Sequence, residues 1–458
     1  MAALPSEEPS FLPSRDLCGL GRTPPALSAV ESGLDAIADA LGVSDEPEIC
    51  FDRQDRIEDE GAEGSGRSTD GAADGDADDS DEDGLDSDDD IGQGNEAEHD
   101  FELRYVRTWL TKVVASDLDW AGDVERREAV ISRAAELLAV CAGKSASGQS
   151  RVRYSFNTAA TGILTVRSHE ATLYEDALGG RTWGAAPLLV HHLLHDTKTM
   201  DIVRSATAER PLRILELGAG TGLVGISLAL AHRTLSEQAE ATAPSLHVIL
   251  TDHHPTVLAN LDTNVALNLL DAEHAGSPAR QVEVRRLDWQ AVYDARSQSG
   301  TRSAYSSSAQ TLPAEAEASM DPIWLQPVAF EDRSVDIIIA ADCVYDALHP
   351  TWIKAVAEKY LRRPSPQDKD EGGVMHMISP LRSTHKVELA SYYDCFPRHG
   401  ATTTAEDDCG IVMTAEVELS GYDDFGPPRL RLGVAPKGGR RTGGTETAYR
   451  RFEMRWVP

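Results

Sequence analysis

The sequence predicts an α/β fold, a mostly parallel sheet with helices on both faces and an antiparallel end. Three observations carry this expectation. From "LRILEL" onward, short β-branched runs alternate with segments of helical period, as βαβ crossovers require. The runs "LRILEL", "HVILTD" and "VDIIIAAD" are apolar almost throughout, as strands covered on both faces are. The closing segments "GIVMTAEVEL", "RLRLGV" and "YRRFEMRW" follow one another without helices, which makes that end of the sheet antiparallel.

Residues 1–100 read as a mostly disordered acidic region. Residues 58–100 hold 19 acids and one Arg, so ordering them would lose entropy with little apolar surface to bury. The tract reads as a solvated spacer, with a basic partner as the alternative. Within this region "LSAVESGLDAIADALGV" places Leu27, Val30, Leu34, Ile37 and Leu41 at helical spacing. It reads as an isolated, transient helix, with a short docking helix as the alternative. Order is expected from Phe101, with a short helical lead over 101–149. Leu103, Val106, Leu110 and Val113 share one face of its first helix. "RREAVISRAAELLAVCAG" forms the second, with Gly143 as its C-cap.

The α/β domain is assigned to 150–458. "VRYSFN" and "GILTVRSH" are strands, and "TWGAAPLLVHHLLHD" is a helix leading into the first core strand. "LRILEL", "HVILTD", "QVEVRRLDW", "VDIIIAAD" and "GGVMHMISP" are the strands that follow. "GLVGISLALAHR", "PTVLANLDTNVALNLL", "PTWIKAVAEKYLR" and "HKVELASYYDCF" are the helices between and after them. Residues 233–245 and 294–322 are polar insertions and read as surface loops. "APKGGRRTGG", with Lys437, Arg440 and Arg441, reads as a solvated turn, with contact to an acidic partner as the alternative.

Composition narrows the function. The chain of 458 residues carries 43 Lys+Arg against 76 Asp+Glu, a net charge of −33, which disfavours a nucleic-acid partner. Six sparse cysteines without C-x-x-C suit reduced thiols in a cytoplasmic or nuclear compartment. The N-terminus lacks a signal-peptide pattern, and no apolar run is long enough for a bilayer, so no membrane association is expected.

In open parallel sheets ligands bind beyond the carboxyl ends of the strands. After the first core strand, "ELGAGTGLVG" holds two overlapping glycine patterns. Gly218, Gly220 and Gly222 give G-x-G-x-G; Gly220, Gly222 and Gly225 give the dinucleotide-type G-x-G-x-x-G. A dinucleotide site needs its first glycine directly after the strand. That position is Gly218, so the second pattern starts two residues late. Gly225 then lies in the helix, where close packing on the sheet accounts for it. Glu216 would repel a pyrophosphate and suits a ligand with a sulfonium and an ammonium. The loop thus favours S-adenosylmethionine over a nicotinamide cofactor. Asp252 ends the second strand, either as acceptor for ribose hydroxyls or as a helix N-cap. Trp289 follows the third, against an adenine face or in the core. Asp342 and Tyr345 follow the fourth, where an acid can hold an amine and a Tyr can shape a channel, or the acid can cap a turn. The histidines His191, His192, His195, His253 and His254 make no metal-ligand grouping and read as surface residues. No metal is expected.

Together, "ILELGAGTGLVGISLA", "VILTDHHPTVLANLDTNVALN", "RLDW" and "DIIIAADCVYD" resemble the seven-β-strand class I methyltransferases. More narrowly, the chain resembles the family 16 protein-lysine methyltransferases. That subgroup's D-x-x-Y motif is matched by Asp342-Cys343-Val344-Tyr345, and its Trp before the first strand by Trp183. The resemblance implies a Rossmann-like seven-stranded sheet and S-adenosylmethionine as cofactor. It implies a cofactor site lined by Trp183, Gly218, Ala219, Gly220, Asp252, Trp289 and Ala341; Glu216, the acid before the loop, and Gly222, within the glycine pattern, are assigned to the same site from the loop itself. It implies that Asp342 and Tyr345 face the acceptor, a lysine of a protein substrate methylated by in-line transfer. A small-molecule methyltransferase and a non-catalytic scaffold are the alternatives.

Overall fold

The computed structural model describes residues 11–21, 23–41, 48–51, 89–142, 149–171, 178–207, 209–239, 246–269, 281–298, 320–365, 372–382, 386–400, 410–428 and 443–457. Its centre is a seven-stranded sheet. Five strands are parallel: β4 (Leu212–Leu217), β5 (Leu246–Asp252), β6 (Val282–Arg286), β7 (Ile337–Ala341) and β8 (Val374–Pro380). The order is β6-β5-β4-β7-β8, completed by β10 (Gly443–Trp456) and β9 (Ile411–Pro428). β10 is antiparallel to both β8 and β9. The expected parallel sheet with an antiparallel end is therefore present. Strand order reverses between β4 and β7, which opens a crevice at their carboxyl ends.

Alternate residues of these strands feed two cores, because successive side chains point to opposite faces. Ile214, Val248, Leu250 and Ile337 face α5 (Ala185–His195), α6 (Thr197–Arg204), α7 (Leu223–Gln238) and α8 (Pro255–Leu269). Leu215, Leu217, Ile249 and Ile338 face α9 (Trp289–Gln298), α10 (His349–Tyr360) and α11 (Lys386–Cys395). β4, β5 and β7 are apolar along most of their length because helices cover both sides.

A second sheet lies against the α5–α8 layer. Its strands are β1 (Glu48–Phe51), β2 (Ser150–Thr158) and β3 (Gly162–Glu170). β2 and β3 are the two predicted strands. β1 pairs parallel to β2, and Phe51 stacks on Phe156 at 5.0 Å. Four residues carry no usable periodicity, and β1 was not foreseen.

The amino-terminal helices differ most from expectation. α1 (Pro13–Asp16) and α2 (Leu27–Leu41) pack with α3 (Asp89–Val114) and α4 (Val124–Cys141). Val30, Leu34 and Ile37 share one core with Val106, Leu110, Val113 and Leu137. The 27–41 helix is thus not isolated: its apolar stripe meets that of α3, and burial offsets the entropy of ordering. α3 also begins upstream of Phe101. Leu103, Val106, Leu110 and Val113 are buried as predicted. The Gly143 cap and "RLRLGV" lie outside the described residues, as do Lys437, Arg440 and Arg441.

Both insertions also need correction. α7 runs through residue 238 and α9 through residue 298, so each predicted loop opens as helix. Met320, within the second insertion, is buried, as is Trp324 just after it. The histidines are not uniformly on the surface either. His191 is buried, and burial holds His192 down at about 4. Among the described residues, no helix is long and apolar enough to cross a membrane.

Candidate active site

The crevice between β4 and β7 opens into a cavity of about 760 Å³. One side is the loop after β4. Gly218, Gly220 and Gly222 have positive φ there, a conformation open to glycine at little cost. A Cβ on Gly218 would stand 2.9 Å from Cys343 Sγ and 3.3 Å from the Trp289 ring. The loop is tied down from below. Ala219 N–H donates to the Thr251 carbonyl at 2.8 Å, and Thr251 Oγ1 donates to the Glu216 carbonyl at 2.6 Å.

Asp252 ends β5 beside this loop. Its Oδ2 accepts from Gly220 N–H at 3.1 Å, and its Oδ1 from His253 N–H at 2.7 Å and His254 N–H at 3.3 Å. Burial pushes this carboxyl up, and the three backbone donors act against that. The carboxyl bonds the turn directly after it and the glycine loop, rather than the first turn of α8. The N-cap alternative is therefore not what holds it. Trp289 opens α9 next to Gly218, and its indole Nε1 is buried without a hydrogen-bond partner among the described residues.

The opposite side is built from β7 and α10. Asp342 N–H donates to the Ile378 carbonyl at 2.9 Å, which holds Asp342 at a φ of 53°. Cys343 turns inward and donates its thiol to the Leu217 carbonyl at 3.0 Å. Burial pushes this thiol well up, so it remains a donor. Tyr345 sits at the rim, 63% exposed, with its ring edge-on to His349 at 4.5 Å. His349 Nδ1 lies 2.9 Å from the Cys343 carbonyl, and its ring also meets Trp289 and Trp352. Burial lowers the pKa of His349, so its imidazole is neutral near pH 7.

Of the predicted residues, Trp183, Glu216, Gly218, Ala219, Gly220, Asp252 and Trp289 bound this one cavity, with Ala341, Asp342 and Tyr345. Gly222 does not. A Cβ there would press on Ile226, Leu250 and Leu261, so it serves core packing at the start of α7. Glu216 departs from its expected charge. Its Oε2 accepts from Gly225 N–H at 2.8 Å, and burial lifts its pKa to about 8. At pH 7 it is mostly protonated, not a fixed carboxylate. Gly225 meets the packing expectation: a Cβ would lie 2.6 Å from Glu216 Oε2 and closer still to Leu250.

Sequence reasoning missed His349, Arg181 and Arg382, which also bound the cavity. Arg382 was open to discovery, since it lies two residues past β8 and strand ends were the guide. His349 carries no signal beyond its place four residues after Tyr345.

The residues fit an adenosine-bearing ligand. A glycine loop allows close approach, an unpartnered buried indole N–H adjoins it, and the volume lies in the usual range of about 300–1,000 Å³. Sheet order and cavity together match the arrangement that the resemblance to class I methyltransferases implies. Residues 165–301 match a family profile described as lysine methyltransferase. It is 29% identical over 293 residues to "Protein-lysine N-methyltransferase rrg1" of Schizosaccharomyces pombe, covering 64% of this chain and 75% of that one. It is 28% identical over 226 residues to "Protein-lysine N-methyltransferase EFM2" of Saccharomyces cerevisiae, covering 48% of this chain and 41% of that one. Among solved structures, an O-methyltransferase from Bacillus cereus aligns at 13% identity and a TM-score of 0.27, over 58% of this chain and 80% of that one. That likeness is too distant to bear on the chemistry.

Proposed function

We propose that this chain methylates a lysine side chain of a protein, using S-adenosylmethionine as donor. The reading is supported by one cavity bounded on one side by the glycine loop and on the other by Asp342 and Tyr345. When bound, the cofactor supplies a methyl group on a positive sulfonium, open to in-line attack by a neutral amine. The loop Gly218–Ala219–Gly220, Asp252, Trp289, Trp183 and Ala341 would hold it. Glu216 supports the loop from beneath rather than pairing with the ligand's charge.

Asp342 accepts a hydrogen bond from the incoming amine, orients its lone pair and takes up its proton directly or through water. Tyr345 and the Trp289–His349–Trp352 cluster narrow the channel and keep water from the reacting amine. The exposed rim at Tyr345 suits a lysine that reaches in from a macromolecule. The two relatives named above are protein-lysine N-methyltransferases, which supports the same acceptor. In this reading residues 150–458 form the methyltransferase domain and 101–149 its helical extension. The acidic tract 58–100 offers a binding segment for a basic partner, and reduced cysteines fit a cytoplasmic or nuclear site of action.

Calorimetric titration with S-adenosylmethionine tests the core of this reading, and an absence of binding removes it. Asp342→Ala is expected to abolish methyl transfer while cofactor affinity changes less than about threefold. Unchanged turnover in that variant takes Asp342 out of the mechanism.

A further inference from the structure

We propose that Arg382 is a positioning residue for the acceptor: it holds the Asp342 carboxylate before substrate enters, and its charge keeps the bound lysine amine unprotonated. This rests on the lysine-methyltransferase reading above. β8 runs parallel beside β7, so its carboxyl end delivers residues to the same rim as Asp342. Leu381 N–H donates to the Ala448 carbonyl at 2.7 Å and fixes the backbone one residue before Arg382. Arg382 Nη2 then stands 3.6 Å from Asp342 Oδ2, and both residues bound the cavity. The two side chains are 27% and 12% exposed, so the pair is only partly screened by water. Its separation exceeds the usual N–H···O range of about 2.7–3.2 Å.

The chemistry calls for such a cation. A free lysine has a pKa of about 10.4 and carries no lone pair while protonated. Asp342 alone would aggravate this, because an adjacent carboxylate favours the ammonium. Glu216, Asp252, Asp288 and Asp346 also bound the cavity, and each that is ionised acts in the same direction. His253 and His349 have pKa values depressed by burial and are neutral near pH 7. Cys343 and Tyr345 are neutral there too. Arg181 directs its Nε to the Ala171 carbonyl at 3.1 Å. Arg382 is a permanent cation in contact with Asp342. It cancels the carboxylate's pull, so Asp342 can accept from the amine without rewarding its protonation.

The test begins with tritiated S-adenosylmethionine, the wild-type chain and a soluble cell extract, and identifies the labelled protein. That protein, purified and saturating, then gives the pH dependence of kcat, which reports ionisations in the bound complex. Arg382→Ala is expected to move the limb on which kcat rises with pH upward by about one unit, about a tenfold loss of rate at pH 7. Arg382→Lys is expected to keep the wild-type profile. A purely structural role would lower kcat at every pH without moving the limb. An unmoved limb in Arg382→Ala, or a limb moved equally in Arg382→Lys, overturns the inference and leaves the methyltransferase reading intact. If the wild-type chain labels no protein, the protein-lysine reading fails and this inference falls with it.

Discussion

The thiol of Cys343 donates to the carbonyl oxygen of Leu217 at 3.0 Å, joining the segment after β7 to the strand end that carries the glycine loop after β4. The same sulfur would stand 2.9 Å from a Cβ on Gly218. Motifs more than a hundred residues apart are thus in van der Waals contact, and what one tolerates depends on the other.

Gly218→Ala is the direct probe. Its φ of 59° is costly for any residue with a Cβ, and Cys343 and Trp289 leave that Cβ no room. Strain and overpacking together are expected to cost roughly 1–3 kcal/mol of stability. Cofactor affinity is expected to fall at least about tenfold, since the loop must move to relieve the clash. Adding Cys343→Ala is expected to recover part of the stability, read as a thermal midpoint, but not the strain in φ. Full recovery would mean that the clash alone mattered.

Asp252→Ala removes the acceptor of three backbone N–H groups, those of Gly220, His253 and His254. Leaving partly buried donors unpaired costs about 1–3 kcal/mol. Cofactor affinity measured by calorimetry is expected to drop about 10- to 100-fold, with the fold retained by circular dichroism. An affinity within twofold of wild type would mean that Asp252 organises nothing the ligand uses.

Glu216 makes stability depend on pH. Its folded pKa, about 8, lies above the ordinary carboxyl value of 4.5. The folded state therefore binds this proton more tightly than the unfolded state. Its contribution is complete below pH 4.5 and is lost as pH rises through 8. Glu216→Gln keeps an acceptor for Gly225 N–H and does not titrate. Chemical denaturation between pH 5 and 8 is expected to show a flatter profile for the variant, by an amount on the order of 3 kcal/mol. Parallel profiles for the two proteins would place the buried charge elsewhere.

Trp109→Ala addresses the amino-terminal helices. Trp109 is 4% exposed and donates its Nε1–H to the Cys18 carbonyl at 2.8 Å, so it holds α1, α2 and α3 together. Its loss is expected to cost about 3–5 kcal/mol within that cluster. Hydrogen exchange is expected to rise across 27–41 while protection of β4, β5 and β7 stays near wild type. Equal loss in both regions would show that the two cores unfold as one.

Much of the catalytic half was legible because its signals are local. Apolar runs of strand length, separated by helical periods, can only be buried as a covered parallel sheet. Glycine directly after β4 and acids directly after β5 and β7 lie where such a sheet binds ligands. Arg382 follows the same rule one strand further on. The amino-terminal cluster was not legible in this way. The stripe on α2 looks the same whether or not a partner covers it, and the partner, α3, lies beyond an acidic tract.

The sequence by itself determined the succession of the core strands, the apolar faces of α2 and α3 and the glycine loop at the sheet's carboxyl edge, because these follow from periodicity and backbone sterics. Only the tertiary structure decided that Glu216 is mostly neutral, that Gly222 faces the core, and that Arg382 meets Asp342. Each depends on burial or on a distance between strand ends, and neither quantity exists until the sheet is assembled.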